Sequence, residues 1–174
     1  MALAVCLLFD ERTNLALRRL WDRLEELDIP TLRSHTHGRH LPHLSYAVLR
    51  EWRIDDVLTE VEKLPSGPPI DLHFDALGTF RRGRSWLVPA VPTDFGQRQE
   101  QVVAATARAG ADLHKHYVPG LWVPHCTIAP RVPLTMLPVL AAAVYDVLPL
   151  RAHADHAGLI DSGTGQTWPL VNLP

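Results

Sequence analysis

The chain has 174 residues and a mass of 19.5 kDa, enough for one domain whose core buries about 70% of the unfolded surface. With 47% hydrophobic and 21% charged residues, the composition excludes the disordered and fibrous classes. No apolar run approaches the roughly 18 residues that cross a membrane, and a formal net charge of -2 argues against wholesale binding to duplex DNA or RNA. A small phosphorylated ligand stays open.

Residues 2–9 are short, apolar and free of breakers, which predicts a strand. Asp10-Glu11 follows at once and no basic segment precedes, so the apolar start is expected to be structural and the protein cytoplasmic. Asp10 can cap a helix carrying Leu15, Leu17, Leu20, Trp21, Leu24 and Leu27 at helical spacing, closed by Pro30. A histidine-rich loop fills residues 31–42, and a strand is predicted over 43–49. A helix over 54–64 and a turn at 65–69 lead to two strands, 70–80 and 85–91, joined by Arg81-Arg82-Gly83-Arg84. A long helix is predicted over 93–113, capped by Thr93 or Asp94, then a loop through Gly120 and a strand at 125–129. The Ala-rich helix 133–148 tolerates Pro138 in its first turn. Strands 151–160 and 167–172, joined by the turn at residues 162–165, close the chain.

The helix-strand-helix-strand-strand order recurs in the second half. The expected fold is therefore α+β: a bilobal, pseudo-duplicated single domain over residues 1–174. It would have two antiparallel sheets, helices on their outer faces and a central cleft. Cys6 and Cys126 both lie in apolar segments and read as buried thiols.

The repeat is visible in residues. Pro42-His43-Leu44-Ser45-Tyr46-Ala47 matches Pro124-His125-Cys126-Thr127-Ile128-Ala129, and each copy opens a predicted strand. Alternation places His43, Ser45 and Ala47 on one face, and His125, Thr127 and Ala129 on one face. Two such strands would aim two imidazoles into one cleft. One imidazole can take a proton from an attacking water while the other gives a proton to the leaving oxygen of a phosphodiester. The two hydroxyls can donate to the non-bridging oxygens.

These motifs, HLSY at 43–46 and HCTI at 125–128, resemble those of the two-histidine (2H) phosphoesterases, which include RNA 2′,3′-cyclic phosphodiesterases and 2′-5′ RNA ligases. LGTFRRGRSWLVPAV at 77–91 and GLWVPH at 120–125 fit the same resemblance. It implies His43 as general acid, His125 as general base, and Ser45 and Thr127 as phosphate-binding residues. It also implies hydrolysis of 2′,3′-cyclic phosphates on RNA ends or nucleotides to 2′-phosphates, and a weak reverse 2′-5′ ligation. Acid/base work by two imidazoles requires no metal and no cofactor, and the protein is expected to be a monomer. The rival reading is a non-catalytic nucleotide or RNA binder with the same fold.

Further substrate contacts are expected from His40, Tyr117, Trp122 and Arg131, although Pro130 separates Arg131 from the second motif. Trp86 is assigned to core packing. Arg81, Arg82 and Arg84 form a hairpin tip able to steer phosphate. His35 and His37 are assigned to a solvated loop, and His153 and His156, three apart in a strand, to opposite faces.

Overall fold

The computed structural model describes residues 2–174. Strand β1 (Leu3–Phe9) leads into helix α1 (Glu11–Glu26), whose N-terminus is fixed as the sequence predicts. The Asp10 carboxylate accepts from the Thr13 N–H at 2.8 Å. Strand β2 (His43–Glu51), helix α2 (Ile54–Val61), and strands β3 (Ile70–Thr79) and β4 (Ser85–Ala90) follow. Helix α3 (Phe95–Arg108) is shorter than the predicted 93–113. Gly110, at φ +71, takes the chain out of the helix. Asp112–Leu113 then forms a short strand, β5, on the edge of β2. Strand β6 (Cys126–Ala129), helix α4 (Leu137–Tyr145) with Pro138 in its first turn, and strands β7 (Leu150–Asp161) and β8 (Thr167–Pro169) complete the chain.

The α+β class is as expected, but the strands form one antiparallel sheet, not two. Its order is β5-β2-β1-β7-β3-β4-β6, with β8 paired to β7. The join is β7, a 12-residue strand. Along one edge its residues 154–161 pair with the whole of β1; along the other it pairs first with β3 and then with β8. Strand counting cannot see such a shared strand.

All four helices pack on one face of the sheet, through Leu17, Leu20, Trp21 and Leu24 of α1, Val57 and Val61 of α2, Phe95 and Val102 of α3, and Leu140 of α4. Each large side chain buried there contributes about 1.5–3 kcal/mol. Four strands lie between β2 and β6, yet their Cα atoms approach within 8 Å. The sheet therefore curls, and its helix-free face becomes the inside of a cleft. No helix among the described residues is long and apolar enough to cross a membrane.

Bulges decide which residues face that cleft. On β2, Val5 pairs with Ala47 and Cys6 with Ser45, so Tyr46 is the extra residue. On β6, Ser85 pairs with Ala129 and Trp86 with Thr127, so Ile128 is the extra residue. The two bulges fall at the same place in the two motifs. Each turns the alternation over: Tyr46 with Ala47, and Ile128 with Ala129, enter the helix-side core. The expectation that Ala47 and Ala129 share the histidine face is thus corrected. Val48 packs instead on the cleft side with Ala4, Cys6, Leu8 and Ile160. A third bulge, at Asp155 of β7, puts His153 and His156 on the same face rather than opposite ones. Asp75 of β3 and Arg50 of β2 are extra residues of the same kind.

Candidate active site

His43 opens β2 and His125 immediately precedes β6. Each follows a proline, and each ring is held the same way. Nδ1 of His43 donates to the Leu41 carbonyl at 2.6 Å, and Nδ1 of His125 donates to the Val123 carbonyl at 2.7 Å. A carbonyl can only accept, so the hydrogen of the neutral ring sits on Nδ1, and Nε2 is left free on both histidines. The x-Pro-His sequence produces this geometry: proline fixes its own φ, so the carbonyl two residues before the histidine turns back toward the ring.

The two rings share an electrostatic environment. Burial holds the His43 imidazole below its ordinary value; its bond to the Leu41 carbonyl opposes this, and the Arg84 guanidinium adds to it. Burial also pushes His125 down, to about 4, against the Val123 carbonyl and with help from His43 and Arg84. Both imidazoles are therefore neutral in the free protein at pH 7. Arg84 acts on both and has no carboxylate partner within salt-bridge distance among the described residues. Its hairpin is seated against the segment after the second motif: the Val132 N–H donates to the Gly83 carbonyl at 2.7 Å.

Ser45 is buried and Thr127 half-buried. The Ser45 hydroxyl lies 3.6 Å from the Cys6 thiol and beside the Tyr117 hydroxyl, which burial pushes up to about 12. Cys6 and Cys126 are buried thiols, as the sequence predicts, and burial pushes each up to about 12. That state suits packing and not nucleophilic attack.

Trp86 is buried, as assigned, and it also packs against His125 with ring centroids 5.6 Å apart; Phe80 lies 5.1 Å from the same ring. Phe80 and Trp86 stack on each other at 5.0 Å. Trp122, expected on the cleft wall, packs instead on Phe95 and Tyr46 in the helix-side core, and its indole N–H donates to the Ser45 carbonyl at 3.1 Å. Gln99 was not singled out from the sequence. Its buried amide donates to the Tyr46 carbonyl at 3.2 Å and the Tyr117 carbonyl at 2.7 Å. Trp122 and Gln99 thus satisfy the edge of β2 where no strand pairs, and they fix the first motif against the Tyr117 loop. A single buried glutamine on an amphipathic helix carries no sequence signal of that role.

The histidine-rich loop is less solvated than expected. His40 is 8% exposed; it packs on His37 at 4.2 Å and contacts the Thr36 hydroxyl at 2.9 Å. Burial and the neighbouring histidines push it down to about 4. His35 and Arg131 are exposed. Among the described residues, no group of three or more His, Cys, Asp or Glu side chains is arranged to hold a metal ion.

The sequence pattern of the 2′-5′ RNA ligase superfamily matches residues 16–166. The chain belongs to that superfamily. The resemblance to two-histidine phosphoesterases drawn from the motifs therefore stands, and with it phosphoester chemistry. Escherichia coli LigT in apo form superposes with a TM-score of 0.65 at 15% identity, covering 97% of this chain and 94% of that one. LigT complexed with 3′-AMP gives 0.64 at 16% identity, covering 97% and 93%. Kluyveromyces marxianus Usb1 with uridine monophosphate gives 0.50 at 11% identity, covering 97% of each chain. At these identities the likeness is one of fold. No curated protein matches the chain.

Proposed function

We propose that this superfamily member is a cyclic phosphodiesterase that opens 2′,3′-cyclic phosphates of RNA ends or nucleotides to 2′-phosphates. The observation that carries the proposal is the matched holding of the two imidazoles, each donating from Nδ1 and free at Nε2. Nε2 of His125 accepts a proton from water as the water oxygen bonds to phosphorus. The bond from phosphorus to O3′ breaks, and O3′ takes a proton from Nε2 of protonated His43. Ser45, Thr127 and Arg84 hold the non-bridging oxygens, and Tyr117 supports Ser45. Neither proton transfer calls for a metal. The structures of LigT complexed with 3′-AMP and of Usb1 with uridine monophosphate support a nucleotide as the ligand.

The site gains its acid when substrate binds. Burial and Arg84 disfavour imidazolium in the free protein. A bound phosphodiester carries a negative charge that offsets Arg84 and favours protonation of the nearest ring.

The pH profile tests this arrangement. Catalysis needs His125 neutral, a state lost as pH falls through about 4. It also needs His43 protonated, a state lost as pH rises through a value below the ordinary imidazole pKa. The kcat/KM of a 2′,3′-cyclic nucleotide is therefore expected to be bell-shaped, with its maximum on the acid side of neutrality. A maximum above about pH 8 would contradict the assignment.

Replacing His35 and His37 together by Ala is expected to leave most turnover intact, because neither ring is placed with the two free Nε2 atoms. Collapse of turnover together with loss of a bound metal, read by elemental analysis, would replace this mechanism with a metal-centred one.

A further inference from the structure

The face that carries the two histidines continues well beyond them. Leu8 of β1 pairs with His43 on one side and His156 on the other, so all three side chains share the cleft face. From His156 that face runs down β7 through His153 to Arg151, and Arg151 pairs directly with His73 of β3. Both side chains are exposed.

There the sheet meets the first turn of α1. Arg12 and Thr13 join His73, Leu150 and Arg151 around a cavity of about 370 Å³. No acidic side chain lines it. Neither arginine has a carboxylate within salt-bridge distance among the described residues. The floor between this cavity and His43 is different. His153 is paired with Asp71 at 2.7 Å and His156 with Asp155 at 2.5 Å, so positive charge there is compensated. At the cavity Arg12 feels the Asp10 carboxylate only through space, and Arg151 has no carboxylate within salt-bridge distance.

The geometry points to a second phosphate subsite at Arg12, His73 and Arg151, which receives a phosphate of the nucleotide chain leading up to the reacting end. This rests on the proposed cyclic phosphodiesterase reading and narrows its substrate to an oligonucleotide end. Arg151 lies five positions along β7 from His156 and two strands from His43, which places it roughly 20 Å from the reacting phosphate. A mononucleotide cannot span that distance; a chain of several nucleotides can. Two guanidiniums and an imidazole present a fork of donors suited to a phosphate.

The test compares a 2′,3′-cyclic mononucleotide with single-stranded RNAs of increasing length that end in a 2′,3′-cyclic phosphate. The wild-type protein is compared with the pair Arg12→Gln/Arg151→Gln and with Arg12→Lys/Arg151→Lys. Wild-type kcat/KM is expected to rise at least about tenfold with length. The glutamine pair should lose that gain while its mononucleotide turnover stays at the wild-type level, and the lysine pair should keep most of the gain. Binding of an RNA that ends in a 2′-phosphate, followed by fluorescence anisotropy across salt concentration, gives a second readout. The glutamine pair should flatten the salt slope by about one. No length gain in wild type, a gain retained by the glutamine pair, or unchanged salt slopes would each overturn the subsite. If no cyclic phosphate is turned over at all, the hydrolytic reading falls, and the salt slopes alone decide the subsite.

Discussion

His43→Ala and His125→Ala are each expected to lower turnover of a 2′,3′-cyclic phosphate by about 10²- to 10⁴-fold, because in the proposed mechanism each removes one of two proton-transfer groups. Their folding should survive. His43 and His125 are half-buried and each makes one ring bond, to a carbonyl of its own x-Pro-His segment. The double variant should lose far less than the product of the two single losses, since either loss alone already disables the pair. Ser45→Ala and Thr127→Ala should cost less than either histidine, because in the proposed mechanism the other hydroxyl and Arg84 still hold the phosphate. Initial rates for the five variants, with unfolding curves to confirm intact folding, check this order. A His125→Ala protein at the wild-type rate would make the second motif structural.

Gly78→Ala should be damaging although it touches none of the reacting groups. Gly78 pairs with Trp86 across β3 and β4. A Cβ there would stand 2.5 Å from Cζ2 and 2.6 Å from Cε2 of that indole. The ring is rigid and cannot slide away freely, because Phe80 stacks on it and His125 meets it edge-on. The added methyl must drive the indole toward His125 or spread the two strands. Overpacking of this kind costs about 1–3 kcal/mol of stability. Displacing a proton-transfer ring by about 1 Å can cost up to about a hundredfold in rate. Gly96→Ala, which meets no atom within 4 Å, serves as the control and should leave rate and stability unchanged or slightly raised. Thermal unfolding and kcat/KM of the two variants, measured together, test the point. A Gly78→Ala protein as active and stable as wild type would mean that Trp86 does not position His125.

The histidine pairs were legible in the sequence because their repetition is local. Two Pro-His-x-hydroxyl segments announce themselves without any long-range information, and the α1 cap at Asp10 does so too. The errors arose where one residue changes the register. Strict alternation put Ala47 and Ala129 beside the histidines. The extra residues Tyr46 and Ile128 turn both to the core, and no short-range pattern marks a bulge. The same blindness separated His153 from His156, which Asp155 brings onto one face. Two sheets were expected because nothing in the sequence of β7 says that it pairs with β1 and β3 at once. The contact of Trp86 with His125, and the turn of Trp122 into the core, were hidden for a related reason. A tryptophan next to a motif and one in a distant strand are equally plausible neighbours of an imidazole until the sheet curls and brings β4 beside the second motif.

The most direct test of the account is the identity of the product. The protein is incubated with a 2′,3′-cyclic nucleotide and excess chelator, and the phosphorus-31 spectrum is followed. The two-histidine mechanism predicts that the cyclic phosphate signal is replaced by that of a 2′-phosphate alone, at a rate the chelator does not change. A 3′-phosphate product, or turnover that stops with chelator and returns with added metal, would contradict it.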